Sequence, residues 1–529
     1  MIVLNLLTNV LGKYERTKEY IELRGIVDLL INRSSNRRPF LISQKEFEKF
    51  LSSFDFNNTK IKVAGERVGI VVTPWMGTAV PWFAITVALL YRQRGLNSCI
   101  IWDDLLFYDE KATSTEKKAI SEILKKLDGF IEVITISELA ECKLDSDDMD
   151  EIKRLASLDS VHDFQSSIPT GQSADYQKLI AISLQNNLPK IKKLFKIYNF
   201  DHLIVSGGVW SNSGLFYWVG GLFNTRVASY DCGSGVVLIG SDDVASHQMD
   251  IRKLLKQDDI FNSKSEENKA LKLARQEFAL RMKGNDKFSS QHVPQSLTST
   301  GMNFDILIPL NIDWDSAALG KHRFFDRTYQ WLMETVNFIL EETSATIAVR
   351  QHPAEKFFKS GTYLEEHFNR VFGNNPRCRF FPCYEKVNTY DLLNNVSLVL
   401  PFTSTVGVEA AMLGKKIVVE SDCYYSELSF VQKAVSKNDY FNKILKCLDG
   451  ENVANAKMIE NAELCYYFTQ VCNWIFTDFT ANNTDFHKWS NSSFNEILND
   501  ETVQDIITSF SKGIPIALLH SKRILTGQD

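Results

Sequence analysis

From Arg67 onward the chain repeats one pattern: a short apolar run, a turn rich in glycine or hydroxyl residues, and an amphipathic stretch of helical period. The runs Val68–Thr73, Ser98–Trp102, Ile131–Ile136, Leu203–Ser206 and Val227–Tyr230 predict strands, with helices such as Val80–Arg94 and Leu184–Tyr198 between them. Strands without polar alternation are buried on both faces, and strands separated by helices of about 10 to 15 residues are joined by parallel crossovers. A second series begins at Phe304, with strands predicted over Asp305–Leu310, Thr346–Arg350, Arg379–Pro382, Ser397–Pro401 and Lys416–Glu420. Apolar positions 329, 332, 336, 339 and 340 form a stripe that predicts a helix over Tyr329–Leu340. The chain therefore reads as α/β, with two Rossmann-like, doubly wound lobes facing a central cleft where the strand ends would meet a ligand.

The segments outside this pattern set the boundaries. Residues 1–65 read as a helical N-terminal segment, 66–243 as the first lobe, 244–300 as a polar helical connector or insertion, 301–450 as the second lobe, and 451–529 as a helical C-terminal extension. Val68 to Tyr91 carries no charge and is long enough to span a bilayer. Pro74, Gly77, Thr78 and Pro81 interrupt it, however, where a strand would turn into a helix, which favours a buried strand–loop–helix.

Composition narrows the partners. The 529 residues suffice for two to three domains, and the net charge of −6 argues against nucleic acid. Nine scattered cysteines without a CxxC pair favour reduced thiols over a disulfide framework or a zinc site, and hence the cytoplasm. The apolar N-terminus lacks a basic leading region, so no signal peptide is expected. Lys190, Lys192, Lys193 and Lys196 make a basic helix face, which reads either as a solvated surface or as a peripheral contact with the inner face of an anionic membrane.

Candidate chemistry collects at predicted strand ends. In Thr346-Ile-Ala-Val-Arg-Gln-His-Pro-Ala-Glu355, an apolar strand delivers Arg350 and His352 to its carboxyl end, and Pro353 turns the backbone out of the sheet. Both side chains can donate to phosphate oxygens, and His352 can protonate a leaving phosphate near neutral pH. At the next such end, Thr403, Ser404 and Thr405 precede a helix whose free amides attract phosphate, and Glu409 follows about one turn on, in reach of a ribose. The bland alternatives are a surface histidine and an ordinary helix cap. Ile308-Pro-Leu-Asn-Ile-Asp-Trp-Asp-Ser places Asn311, Asp313, Asp315 and Ser316 after a strand. Carboxylates two apart can chelate a hard cation, but a strand-end loop uses aspartate for its turn, so Asn311 is read as the donor contact and no metal is expected.

Arg-x-His-Pro, followed by a Ser/Thr-rich turn with Glu-Ala-x-x-x-Gly and a short apolar strand, resembles the nucleotide-sugar half of bacterial GT-B glycosyltransferases, chiefly the capsule polysaccharide transferases of the Kdo- and sialyl-transfer type. The resemblance covers residues 304–425 best and 67–250 less well. It implies donor-phosphate roles for His352, Ser404 and Thr405, a nucleoside role for Glu409, and a CMP-sugar as the preferred donor. The general base of inverting transfer should come from the first lobe, where Arg226-Val-Ala-Ser-Tyr-Asp-Cys-Gly-Ser-Gly235 ends a strand with Asp231 beside glycines. That segment is similar to the acidic-x-Gly element that carries the base in those enzymes, with Asp103, Asp104 and His247 as alternatives. The loops holding Trp75, Gly77 and Thr78, and Gly208 and Trp210, offer glycine for close approach and tryptophan for sugar stacking, so they are the expected acceptor site. Gly207-Gly208 lacks the spacing of a dinucleotide fingerprint.

The expected function is an inverting, metal-independent, cofactor-free transfer of sugar from a nucleotide sugar to a bacterial capsule or surface polysaccharide. Its partners would be that donor, a saccharide or lipid-linked acceptor, and inner-membrane polysaccharide assembly proteins. A teichoic-acid-type polyol-phosphate transferase and a non-catalytic scaffold with a degenerate transferase fold are the alternatives.

Overall fold

A computed structural model describes residues 37–56, 64–75, 78–105, 114–233, 235–257, 259–287, 303–357 and 363–527. The chain divides into two compact units. The first gathers residues 1–160, 170–246 and 474–516, and the second gathers 161–169, 247–473 and 517–529. In chain order the strands are β1 (Ala64–Val72), β2 (Leu96–Trp102), β3 (Glu132–Thr135), β4 (His202–Ser206), β5 (Arg226–Gly233), β6 (Val236–Gly240), β7 (Ile306–Pro309), β8 (Ile347–Arg350), β9 (Cys378–Phe381), β10 (Leu398–Val399), β11 (Lys416–Val419), β12 (Gln432–Lys433) and β13 (Ile475–Phe476).

The first unit's sheet runs β3-β2-β1-β4-β5-β6-β13, parallel from β3 to β5 and antiparallel at β6 and β13. The second runs β9-β8-β7-β10-β11-β12 and is parallel throughout. Both begin in mid-sheet, step outward over two strands, and return to the other side of the starting strand. Since parallel crossovers are right-handed, that reversal winds the two halves onto opposite faces. The consequence for function lies at the β1/β4 and β7/β10 pairs. There the outgoing loops diverge and leave a crevice at the carboxyl ends of the strands.

The core explains why the strands are apolar runs. Ile70, Ile100, Ile101, Leu203, Ile204, Ile306, Leu307, Ile308, Ile347 and Val349 are fully buried. The helix Val80–Gln93 is buried from Pro81 to Tyr91, and such a helix is apolar on every side, which accounts for the uncharged stretch. Among the described residues no helix is long and apolar enough to cross a membrane.

The domain boundaries differ from those expected. The described part of the polar segment 244–300 does not stand apart as a connector, because Ile251, Leu254, Ala270, Ala274 and Phe278 from helices Met249–Leu254 and Lys264–Met282 enter the second unit's core. Nor is 451–529 one extension. Residues 474–516 complete the first unit, where β13 pairs with β6, and 517–529 return to the second. Of the expected N-terminal helical segment, Arg37–Leu51 is described as a helix, and its Phe47 stacks on Trp82 at 4.9 Å. The basic helix face is partly consumed inside the first unit: Lys192 is buried against Asp148 at 2.8 Å, and Lys190 donates to the Ser137 carbonyl at 2.7 Å. All nine cysteines are free thiols.

Candidate functional site

In the second unit the β7/β10 crevice is built by Asn311, Thr403 and Ser404. The Asn311 Oδ1 accepts from the Thr403 amide at 3.1 Å, which ties the two diverging strand ends together. Thr403 is buried, and its Oγ1 has no partner. A buried hydroxyl left unsatisfied costs about 1–3 kcal/mol, so it marks a place where a ligand or ordered water would repay the fold. The Ser404 Oγ accepts from the Val406 amide at 3.3 Å, and its carbonyl accepts from the Tyr425 hydroxyl at 2.7 Å. Thr405 caps the helix Val406–Met412 with helical backbone and no side-chain bond to it. Gly407 lets that helix lie close to its support, since a Cβ there would fall 2.6 Å from Tyr425 Oη and 2.9 Å from Pro401 Cγ.

His352 follows β8, which neighbours β7, so it belongs to the same edge of the sheet. Its Nδ1 accepts from the Ala354 amide at 3.2 Å, which leaves the proton of the neutral ring on Nε2. Pro353 then opens the short helix Pro353–Phe357.

Two expected donor contacts are corrected. Arg350 turns inward: its guanidinium donates to the carbonyls of Pro382 at 2.6 Å and Val387 at 3.0 Å, and burial lowers its pKa to about 10. Its two terminal nitrogens anchor the loop after β9. Glu409 is fully buried, bonded to Arg281 Nε at 2.9 Å and to the Tyr390 hydroxyl at 3.2 Å, while Arg281 also reaches Asp286 at 2.8 Å. Burial raises the Glu409 carboxyl and Arg281 opposes that rise. The carboxylate is thus spent on an internal ion pair instead of a ribose.

The Asp-Trp-Asp segment holds backbone. Asp313 accepts from the Ser167 amide at 2.6 Å, and Asp315 from the Ala317 amide at 3.0 Å. Among the described residues no cluster of three His, Cys, Asp or Glu is disposed to hold a metal.

A neighbouring pair has no signal in the sequence. His322 Nδ1 lies 2.6 Å from Glu420 Oε1, and its ring stacks on Phe402 at 3.8 Å, directly beside Thr403. Glu420 ends up one residue past β11, and His322 sits in a loop well downstream of β7, so only the folded sheet brings them together.

In the first unit the two expected acceptor loops follow β1 and β4, which are adjacent strands. Gly77 lies outside the described residues. The Thr78 hydroxyl donates to the Trp75 carbonyl at 3.0 Å and closes the turn. Gly208 has φ +111°, and its amide donates to Ser213 Oγ at 3.2 Å. Trp210 is half-buried and accepts at its carbonyl from Ser213 Oγ at 2.8 Å.

Asp231 is corrected in its setting. It lies inside the β5–β6 hairpin, opposite Leu238, and not in a loop leading to a helix. The Gly207 amide bonds to the Tyr230 carbonyl at 3.0 Å, so Asp231 comes directly after the last β4–β5 register pair. Of the alternative bases, His247 belongs to the second unit, where its Nε2 is 3.0 Å from the Leu319 carbonyl. Asp104 accepts from the Ser137 amide at 2.9 Å. Asp103 is buried and takes the Asn212 amide at 3.1 Å on both oxygens.

No protein-family profile and no curated protein sequence matches this chain. Among solved structures, it is similar to the β-Kdo 2,4 transferase KpsC of Thermosulfurimonas dismutans, with 11% identity, 51% of this chain and 80% of that chain covered, and a TM-score of 0.31. It is similar to the UDP-GlcNAc 2-epimerase of Methanocaldococcus jannaschii, with 14% identity, 75% and 97% covered, and a TM-score of 0.24. It is also similar to the UDP-GlcNAc 2-epimerase of Neisseria meningitidis, with 10% identity, 75% and 97% covered, and a TM-score of 0.24.

Proposed function

We propose that the chain is a glycosyltransferase that moves a sugar from a nucleotide sugar to a bacterial capsule or surface polysaccharide, with the donor held by the second unit. The observation that carries this reading is the β7/β10 crevice, where Asn311 pins the Thr403 amide and the Thr403 hydroxyl is buried without a partner. A second support is the order of the sheet, which sets His352 on the next strand end. A third is the sequence resemblance of the Arg350-to-Pro353 and Thr403-to-Gly414 segments to the donor half of capsule transferases. In this reading His352 and Ser404 hold the donor phosphates, and the Thr403 hydroxyl, which has no protein partner, bonds to the donor as well. Fixed donors aimed at a departing phosphate stabilise the transition state without reorganisation.

The test is a thermal-shift panel of CMP, CDP, UDP, GDP and dTDP on the wild type, His352→Ala and Thr403→Val. A ligand that binds only the folded state raises its apparent stability. One nucleotide should raise the melting temperature of the wild type, and either substitution should remove most of that rise. Thr403→Val deletes an unsatisfied hydroxyl, so the unliganded protein should melt within a few degrees of the wild type. The matching nucleotide sugar should then be turned over with a saccharide acceptor. No shift with any nucleotide in the wild type would sink the reading, and transfer of glycerol phosphate from CDP-glycerol would replace it with polyol-phosphate transfer.

A further inference from the structure

At the carboxyl ends of the first sheet, a side-chain bridge crosses the end of β1. Asp103 is the first residue after β2, and its amide bonds to the Val72 carbonyl at 3.1 Å, level with the last residue of β1. On the other side, β4 leads into the helix Ser211–Leu222, whose first turn carries Asn212. The Asn212 Nδ2 lies 3.1 Å from each Asp103 oxygen, and its Oδ1 accepts from Asn187 Nδ2 at 3.0 Å. Asn187 thereby fixes which end of the Asn212 amide faces the carboxylate. All three side chains are buried.

The loop that brings Asn212 here is strained. Gly207, Gly208 and Ser211 have φ of +73°, +111° and +54°, and the last is a conformation that residues with a Cβ seldom adopt. Asp159 holds it, accepting from the Ser211 amide at 3.0 Å and hydroxyl at 2.7 Å. Backbone strain of this kind persists where surrounding structure enforces it, and it concentrates at ligand sites.

The donors to Asp103 are neutral: the Asn212 amide and the Leu105 backbone N–H. Burial pushes its carboxyl up to about 6, the Asn212 bond opposes this, Asp104 beside it adds to it, and Lys117 of the helix Ser114–Lys126 acts weakly the other way. An asparagine at this position would keep the bond to Asn212 without a buried charge. The carboxylate therefore costs stability at neutral pH, and a purely structural role does not require it. Asp231, by comparison, lies within the β5–β6 hairpin.

The geometry points to Asp103, aimed by Asn212 and Asn187, as the proton acceptor for a hydroxyl-bearing saccharide bound at the carboxyl ends of β1 and β4, in the place expected of Asp231. This rests on the transfer reading above. As the acceptor hydroxyl oxygen bonds to the sugar carbon of the donor, its O–H bond breaks and the proton passes to an Asp103 oxygen. The bond from that carbon to the nucleoside phosphate breaks, and the phosphate departs with the electron pair. Asn212 and Asn187 are positioning residues that act through the carboxylate.

The test compares full-length wild type, Asp103→Asn, Asp231→Asn and Asn212→Ala. Between pH 4 and 6 the folded protein binds a proton at Asp103 that the unfolded chain releases, so wild-type stability should fall as pH rises through that window. Asp103→Asn should flatten that fall and melt at or above the wild type at pH 7. With the nucleotide sugar that the wild type turns over, Asp103→Asn should lower kcat by about 100-fold or more and remove the acid limb of kcat/KM near pH 6, with nucleotide binding intact. Asp231→Asn should stay within about tenfold, and Asn212→Ala should move the acid limb. A lower melting temperature for Asp103→Asn at pH 7, or retained turnover in Asp103→Asn with loss in Asp231→Asn, would overturn the assignment. A wild type that turns over no nucleotide sugar sinks the transfer reading itself, and with it this role.

Discussion

At the scale of single residues, the second unit buries an ion pair, Arg281–Glu409. Glu409 has no exposed surface, and its carboxylate is satisfied by the guanidinium and by Tyr390. Removing one partner of such a pair strands the other charge, at a cost of about 3–5 kcal/mol, whereas replacing both by apolar groups costs far less. Glu409→Ala, which leaves Arg281 with Asp286 alone, should lower the unfolding free energy measured in urea by about 3 kcal/mol, and Arg281→Met combined with Glu409→Met and Asp286→Asn should recover most of the loss. If Glu409 served a ribose instead, the single substitution would spare stability and weaken only nucleotide binding. The position of Glu409 one turn into a helix was legible from the sequence, but its direction was not. Its partner Arg281 is 128 residues away, on a segment whose polar composition reads as a connector. The same limit applies to Arg350, which follows three apolar residues and points along the sheet to carbonyls more than thirty residues on. The positions of His352 and Asn311 just past β8 and β7 were legible, because a strand end followed by proline or by a turn must leave the sheet there.

The elements were legible in proportion to their burial and length. Strands β7 and β8, and the inner residues of β1, β2, β4 and β11, are buried on both faces, so each shows as a continuous apolar run. Strands β12 and β13 have two residues each and no periodicity to detect, and β6 follows Asp231-Cys-Gly-Ser-Gly235, which reads as a strand-end loop. The helix Val406–Met412 matters most to the site, because its first turn fixes Thr403 to Thr405. Its tight seat depends on Gly407, where a Cβ would meet Tyr425 Oη at 2.6 Å and Pro401 Cγ at 2.9 Å. Gly407→Ala should therefore displace the helix, cost about 1–3 kcal/mol as overpacking does, and reduce any nucleotide-induced thermal shift more than it reduces the melting temperature. Gly450→Ala is the control for backbone strain alone, since Gly450 has φ +95° with nothing within 4 Å of an added Cβ. Equal thermal shifts in Gly407→Ala and the wild type would remove this helix from the ligand site.

For the whole molecule, the two units are interleaved in sequence, so cutting the chain between the predicted lobes should not yield a stable first unit. Residues 474–516 supply β13 as the edge partner of β6, and they pack Trp489 on Phe50 at 5.4 Å, Phe494 on Phe54 at 4.6 Å and Phe479 on Phe83 at 4.8 Å. Polar ties run the same way, with the Gly235 amide donating to Asp485 at 2.6 Å and Arg226 to the Ser511 carbonyl at 3.2 Å. Phe479, Trp489, Phe494 and Phe510 are buried. At about 1.5–3 kcal/mol for each buried large apolar side chain, these four alone contribute about 6–12 kcal/mol. The net stability of a domain is about 5–15 kcal/mol, so their loss is comparable to the whole margin. A fragment of residues 37–246 should therefore lack a cooperative thermal transition by circular dichroism and expose the edge of β6 to aggregation. The same fragment joined through a flexible linker to 474–516 should melt cooperatively, because the tail restores both the edge strand and the aromatic cluster. Cooperative melting of 37–246 alone, at the temperature of the joined form, would mean that the tail only decorates a first unit that folds without it.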